Sequence, residues 1–89
     1  MQVVSNSFLP SDKPIDVICR FNADGTMEPL RIRMQVDDDK IQYEVLQSDI
    51  ISAHSPAAIV FKCAVISNNI KQTLNIIFIR HDCRWIYRP

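Results

Sequence analysis

The stretch "FKCAVISNNIKQTLNIIFI", residues 61–79, has the pattern of a β-hairpin closed by Asn68 and Asn69. Apolar and polar residues alternate on both sides of the asparagine pair, as they do in strands with one buried face. Asparagine tolerates the positive φ angles that a two-residue hairpin turn requires. A turn centred on this pair places Cys63 opposite Leu74, Phe61 opposite Ile76, and Ile59 opposite Phe78. A slip of one residue would oppose apolar and polar positions, so the pattern specifies this register.

Similar turn signals occur at 24–25, 38–39 and 81–82, and each closes a hairpin whose inner faces are apolar. The predicted inner pairs are Cys19 with Leu30, Val17 with Ile32, Ile15 with Met34, Val36 with Ile41, Met34 with Tyr43, Ile32 with Val45, Phe78 with Trp85, and Ile76 with Tyr87. Because four hairpins share consistent inner faces, we expect one continuous antiparallel sheet.

The predicted strands lie at about 15–21, 27–36, 41–46, 58–66, 72–80 and 84–88. The first three form one meander and the last three form another. A sheet this small must curl to close its core, which predicts an all-β fold, a small antiparallel barrel of SH3-like or related type. A flat sheet with one exposed face is the alternative.

Pro29 has no N–H to donate to a strand ladder, so it marks an edge or a bulge. Between the meanders, Ser48 is suited to cap a short helical turn near 48–53 that Pro56 would end.

The composition is that of one globular domain, since 47% of the 89 residues are apolar and 22% are charged. We expect an N-terminal arm over 1–13, flexible or packed on the barrel, and a barrel over 14–89. Ten basic residues balance ten acidic ones, which argues against nucleic-acid binding or membrane anchoring by bulk charge. The chain has neither the long apolar run of a membrane span nor the features of a signal peptide, so a cytoplasmic location is expected.

The chain carries no recognisable catalytic, cofactor or metal motif. Its three cysteines, Cys19, Cys63 and Cys83, are too widely spaced for a disulfide framework or a zinc site. We expect the first two to be buried and the last to be an exposed thiol in a turn. His54 and His81 are interpreted as ordinary loop residues, and Asp37 to Asp39 as a polar turn without the other ligands of a calcium loop. No enzymatic activity is predicted.

Three arginines, Arg20, Arg31 and Arg33, fall on the outer face of the first hairpin. They form a candidate nucleic-acid-binding patch, because clustered arginines bind phosphates. The alternative is a solvated face, since Asp16 is predicted opposite Arg33 and Glu44 faces the same arginine from the third strand. Such cross-strand pairs would neutralise much of the patch.

A row of apolar residues marks the outer face of the second meander, and it consists of Val60, Ile77, Ile79 and Ile86. A strand that is apolar on both faces is usually covered on both. The cover would be the chain's own Phe8-Leu9 arm or Ile50-Ile51 turn, or else a second copy or another protein. In the last case the row is a candidate protein-interaction surface.

"PIDVICRFNADGTMEPLRIRMQ", residues 14–35, together with "RWIYRP", residues 84–89, resembles the opening and the end of a group of small uncharacterised proteins from Gram-positive bacteria. The resemblance implies a small β-barrel and no particular activity. It also implies structural roles: Gly25 for the turn, Pro29 for an edge or bulge, and Leu30 and Ile32 for the core.

These observations favour a small, non-enzymatic intracellular protein-interaction module without cofactors. It would bind a protein partner, or a second copy of itself, through the outer apolar row. A nucleic-acid-associated barrel that uses the arginine face is the alternative. No membrane association is expected.

Overall fold

The computed structural model describes residues 12–52 and 57–89, which form six antiparallel strands and no helix. The strands are β1 (Lys13–Phe21), β2 (Met27–Val36), β3 (Asp39–Ser52), β4 (Ala58–Ser67), β5 (Ile70–Ile79) and β6 (Arg84–Tyr87). They pair in chain order, and β6 returns to β1 to close a barrel. The predicted small all-β barrel is confirmed.

No helix in the described part of the chain could cross a membrane. Most of the predicted arm lies outside the described residues, and β1 begins at its last residue, Lys13.

The two C-terminal hairpins have the predicted registers. Asn68 and Asn69 have φ angles of 52° and 66°, which are the positive values that the turn requires. The predicted pairs are present, namely Cys63 with Leu74, Phe61 with Ile76, Ile59 with Phe78, Phe78 with Trp85, and Ile76 with Tyr87. The alternating pattern was therefore sufficient to define this half of the barrel.

The first hairpin follows the predicted register only up to Ile18, because a β-bulge shifts the pairing there. Cys19 pairs with Pro29 instead of Leu30. Gly25, with a φ of 89°, ends a tight turn in which its N–H donates to the Asn22 carbonyl at 3.0 Å. Because the bulge shifts the pairing by one residue, Pro29 takes the inward position and is fully buried, whereas Leu30 is 38% exposed. The expected core role of Leu30 is wrong, whereas the bulge expected near Pro29 is present.

The second hairpin turns one residue earlier than predicted, which moves each cross-strand pairing by two residues. Val36 pairs with Asp39, so the turn is centred on Asp37-Asp38, and Asp37 has a φ of 55°. Ile32 accordingly pairs with Tyr43, not with Val45. A shift of two residues preserves the inner and outer faces because the side-chain period of a strand is two.

Strand β3 continues through the segment for which a helical turn was predicted. Within that segment, Ser48 pairs with Cys63 and Ile50 with Phe61 on β4. A ladder of this length satisfies more backbone groups than a single helical turn, which leaves most of its groups unpaired. The helical turn is thus wrong for residues 48–52, and residues 53–56 lie outside the described part. The extended β3 joins the two predicted meanders into one.

The barrel interior is filled by apolar and aromatic side chains. The buried members of this core are Ile15, Ile32, Met34, Tyr43, Ile59, Phe61, Cys63, Val65, Leu74 and Ile76. Trp85 packs against two phenylalanines, with ring centroids 5.5 Å from Phe61 and 4.9 Å from Phe78. These rings lie near the end of the barrel where β1, β3 and β5 terminate.

Candidate functional site

The predicted outer apolar row is assembled as expected, but it is buried within the single chain. Val60 pairs with Ile77, and Ile77 pairs with Ile86 across the next strand. Ile77, Ile79 and Ile86 are only 4%, 2% and 2% exposed, and Val60 is half-buried beside them. Binding of a partner to this row would require its side chains to be uncovered first.

The three predicted arginines lie on the outer face, and two of them are ion-paired. Arg20 contacts Glu28 at 2.6 Å, and Arg33 contacts Asp16 at 3.4 Å. The hydrogen bond from Arg20 lowers the pKa of Glu28. These contacts hold two of the three guanidinium groups against carboxylates of the same hairpin.

Arg31 pairs in register with Glu44, and Arg33 pairs with Gln42 instead of the predicted Glu44. This exchange follows from the two-residue shift in pairing that the earlier turn produces. Arg31 forms no ion pair with any residue that the structure describes. Among the three predicted arginines, Arg31 is therefore the one whose guanidinium group is in no ion pair with a described residue.

A groove between β2 and β3 is the feature that sequence reasoning missed. The two strands pair from Val36 with Asp39 as far as Arg31 with Glu44, and no further pair joins them. Beyond that point β2 remains paired with β1, and β3 remains paired with β4. The two strands thus separate toward one end of the barrel.

Each strand carries an irregularity where the separation begins. Leu30 is the residue that the bulge in the first hairpin leaves unpaired, and Leu46 is skipped in the pairing of β3 with β4. Both side chains are exposed, Leu30 by 38% and Leu46 by 52%. Bulges bend a strand and increase its local twist, which explains why β2 and β3 diverge here. Pro29 was the one visible sequence signal of this edge.

The groove has a volume of about 490 Å³, and its lining is largely polar, with Met27, Ile50 and Phe61 among its apolar residues. Its walls come from β2 and β3, and the aromatic ring of Phe61 belongs to its lining. The lining residues are Asn22, Thr26, Met27, Glu28, Leu46, Gln47, Ser48, Asp49, Ile50 and Phe61. No lysine or arginine is among these described residues, whereas two carboxylates are.

The groove opens into an apolar cavity at the end of the barrel, which we call the mouth. The mouth has a volume of about 560 Å³, and its lining includes Phe21, Met27, Ile50 and Phe61. Phe21 pairs with Met27, and Ile50 pairs with Phe61, so these side chains are directed toward the barrel interior. Even so, Phe21 is 66% and Ile50 is 54% exposed, because the described strands end without covering them.

The described residues contain no group of three or more His, Cys, Asp or Glu side chains that could hold a metal ion. His81 lies in an exposed turn, with its Nε2 3.7 Å from Asp82, and His54 lies outside the described residues.

Cys63 is buried and Cys83 is exposed, as predicted, while Cys19 is half-buried. Burial raises the pKa of the Cys63 thiol to about 11, which disfavours the nucleophilic thiolate at neutral pH.

No protein-family model, curated protein or solved structure matches the chain in the comparisons made. The resemblance of residues 14–35 to small proteins of Gram-positive bacteria stays a prediction.

Proposed function

We propose that this protein is a non-enzymatic interaction module that binds a segment of a partner protein at the mouth. The observation that carries the proposal is the exposure of Phe21 and Ile50, which are directed inward over the buried ring of Phe61. Contiguous exposed apolar surface in a concavity is typical of ligand and peptide sites. The expectations of a cytoplasmic location and of an SH3-like barrel belong to this proposal, since SH3 domains bind extended peptides in aromatic-lined grooves.

The mouth is better suited to a partner than the outer row that the sequence singled out. At the mouth, apolar side chains are accessible without any rearrangement, whereas Ile77 and Ile86 are buried. The arginine face supports the nucleic-acid alternative less well, because Arg20 and Arg33 already contact carboxylates. Phe21 is an exposed aromatic residue next to Arg20 in sequence, but strand alternation places it on the opposite face.

The proposal is tested by selecting binders from a random peptide library displayed on phage and measuring their affinities by fluorescence polarisation. Phe21→Ser and Ile50→Ser should each weaken binding by about tenfold, the loss typical of an apolar anchor. Ile70→Ser is the matched control, since Ile70 is 63% exposed but lies in the β4–β5 hairpin near its turn. A library that yields no binder, or binders equally weakened by Ile70→Ser, would refute the proposal.

A further inference from the structure

We infer that the partner segment is an extended strand that inserts between β2 and β3, with a large apolar residue directed into the barrel and a basic residue directed outward. This inference rests on the proposed function and adds the binding mode and the chemistry of the partner. It is carried by three features of the groove: its unpaired strand edges, the apolar residues in its lining, and the Asp49 carboxylate, which is in no ion pair with a described residue.

The first feature is the pair of backbone edges that face each other across the groove. Residues 27–30 of β2 and 45–50 of β3 are in strand conformation; apart from Leu30 and Leu46, which pair with no strand, they pair only with β1 and β4, respectively. Such edges present backbone N–H and C=O groups to whatever lies between them. An added strand satisfies these groups, as in other cases of β-strand addition, whereas a compact or helical ligand does not.

The bulges at Leu30 and Leu46 prevent the two edges from satisfying each other. Each bulge adds one residue to its own strand and bends it, and the pairing of β2 with β3 ends beside the bulges, at Arg31 with Glu44. Pro29, on the β2 edge, also has no N–H to contribute to a direct ladder. A mobile peptide can adopt the register that each edge requires, which two strands of a closed barrel cannot do.

The second feature is the set of apolar residues in the groove lining, which determines the inward side chain of the inserted strand. Phe61 and Met27 lie beneath the groove, and Ile50 borders it at the mouth. Because alternate residues of a strand are directed to opposite faces, one or two apolar residues of the partner would contact these side chains. A groove of about 490 Å³ lies within the roughly 300–1,000 Å³ range of ligand sites.

The third feature is the charge on the outward side. Asp49 accepts a hydrogen bond from the Gln47 amide at 3.4 Å, and although Lys62 lies opposite it in the β3–β4 register, it forms no ion pair with a described residue. The second carboxylate, that of Glu28, is already paired with Arg20. A lysine or arginine next to the apolar residue in the partner would lie on the same face as Asp49. The predicted recognition pattern is therefore apolar residues alternating with basic ones.

The probe is a capped eight-residue peptide in which valine and phenylalanine alternate with lysine. Its affinity is measured by fluorescence polarisation, and amide hydrogen exchange is followed by NMR. We expect slowed exchange within 27–30 and 45–50, because edge N–H groups become hydrogen-bonded. The same peptide with alternate backbone amides N-methylated keeps its side chains but cannot pair as a strand, and it should bind at least tenfold more weakly.

Two further comparisons test the charge. Asp49→Asn should weaken binding of the lysine peptide by about two- to fivefold, the effect of one exposed ion pair. Asp38→Asn, in the exposed turn at the opposite end of the barrel, should leave it unchanged. Replacing the lysines of the peptide with glutamates should weaken binding at least as much as Asp49→Asn does.

The outcomes separate the two proposals. If library-selected peptides bind in a Phe21-dependent manner but neither edge is protected, or N-methylation has no effect, the inserted strand is refuted while the interaction function remains. If neither the lysine peptide nor any library peptide binds, both are refuted. Protection of both edges together with sensitivity to N-methylation and to Asp49→Asn supports the inference.

Discussion

Arg88 donates two hydrogen bonds to the carboxylate of Asp12, from Nε at 3.0 Å and from Nη2 at 2.8 Å. The Asp12 side chain is only 2% exposed, and these bonds raise the pKa of Arg88. The pair lies next to the seam between β1 and β6, which is short and begins with Lys13 opposite Tyr87. A charge-assisted, bidentate contact thus reinforces the position where the barrel closes.

Asp12→Asn should lower the free energy of unfolding by about 1.5–3 kcal/mol, the range for hydrogen bonds to charged groups. Urea denaturation measures the change. Asp16→Asn is the matched control, because its pair with Arg33 is exposed on both sides and such pairs contribute at most about 1 kcal/mol. Equal losses in the two variants would contradict a special role for the Asp12–Arg88 contact.

Leu30 and Ile32 provide a test of the bulge in the first hairpin. Ile32 is 0% exposed and Leu30 is 38% exposed. Ile32→Ala should therefore lower the free energy of unfolding by about 2–5 kcal/mol, whereas Leu30→Ala should have a much smaller effect. Chemical denaturation of both variants decides the matter. A comparable loss for Leu30→Ala would indicate the regular register, in which Leu30 faces Cys19.

Ile77→Lys tests whether the outer row is covered within one chain. Since Ile77 is 4% exposed, a lysine there should destabilise the barrel by several kcal/mol, as buried unpaired charges do. Ile70→Lys, at a position that is 63% exposed, should be nearly neutral. Thermal melts and light scattering after size-exclusion chromatography give stability and mass. A folded Ile77→Lys monomer derived from a dimeric parent would instead make the row an interface between copies.

Cys63 should make stability decrease at alkaline pH. Burial raises its pKa from 9.0 in the unfolded chain to about 11 in the folded one. Between these values the unfolded state loses the proton and the folded state keeps it. The contribution of the protonated Cys63 thiol to the free energy of unfolding is therefore fully present below pH 9. It declines by about 1.4 kcal/mol per pH unit until pH 11.

Urea denaturation across pH 8–11 measures this slope, with Cys63→Ala as the comparison. The alanine variant is less stable throughout because of the cavity, but its stability should decline less steeply with pH. Tyr43 and Cys19, whose pKa values are also raised by burial, contribute a background that both proteins share. Parallel pH profiles would show that Cys63 is not the titrating group.

The barrel could be predicted from the sequence because the inward positions of its strands, every second residue, are apolar on both sides of short turns. At Asn68-Asn69 both turn residues accept positive φ, so one register satisfied the turn and the inner face together. The aspartate run at 37–39 was less informative, since either of two adjacent pairs suits a turn. Centring the turn one residue too late moved the pairing by two residues, which kept the correct faces but assigned Glu44 to the wrong arginine.

The groove could not be predicted, because it depends on irregularities that alternation does not reveal. A bulge moves Leu30 out of the core without changing the apolar pattern that suggested its burial. Leu46 likewise looks like an ordinary strand residue, although the ladder skips it. Pro29 indicated an edge in β2, but nothing in β3 indicated where its own pairing with β2 would end.

The order of the strands has a consequence for folding kinetics. Five of the six strand pairings join neighbours in the chain and need only a short loop to be closed, whereas the pairing of Ile15 with Trp85 must close a loop of almost the whole domain. Hairpins form within microseconds, so the long-range search that unites β1 and β6 is the event expected to limit the folding rate. Side chains at that seam are then the ones whose replacement alters the speed of folding, while replacements in the β4–β5 hairpin mainly alter the speed of unfolding.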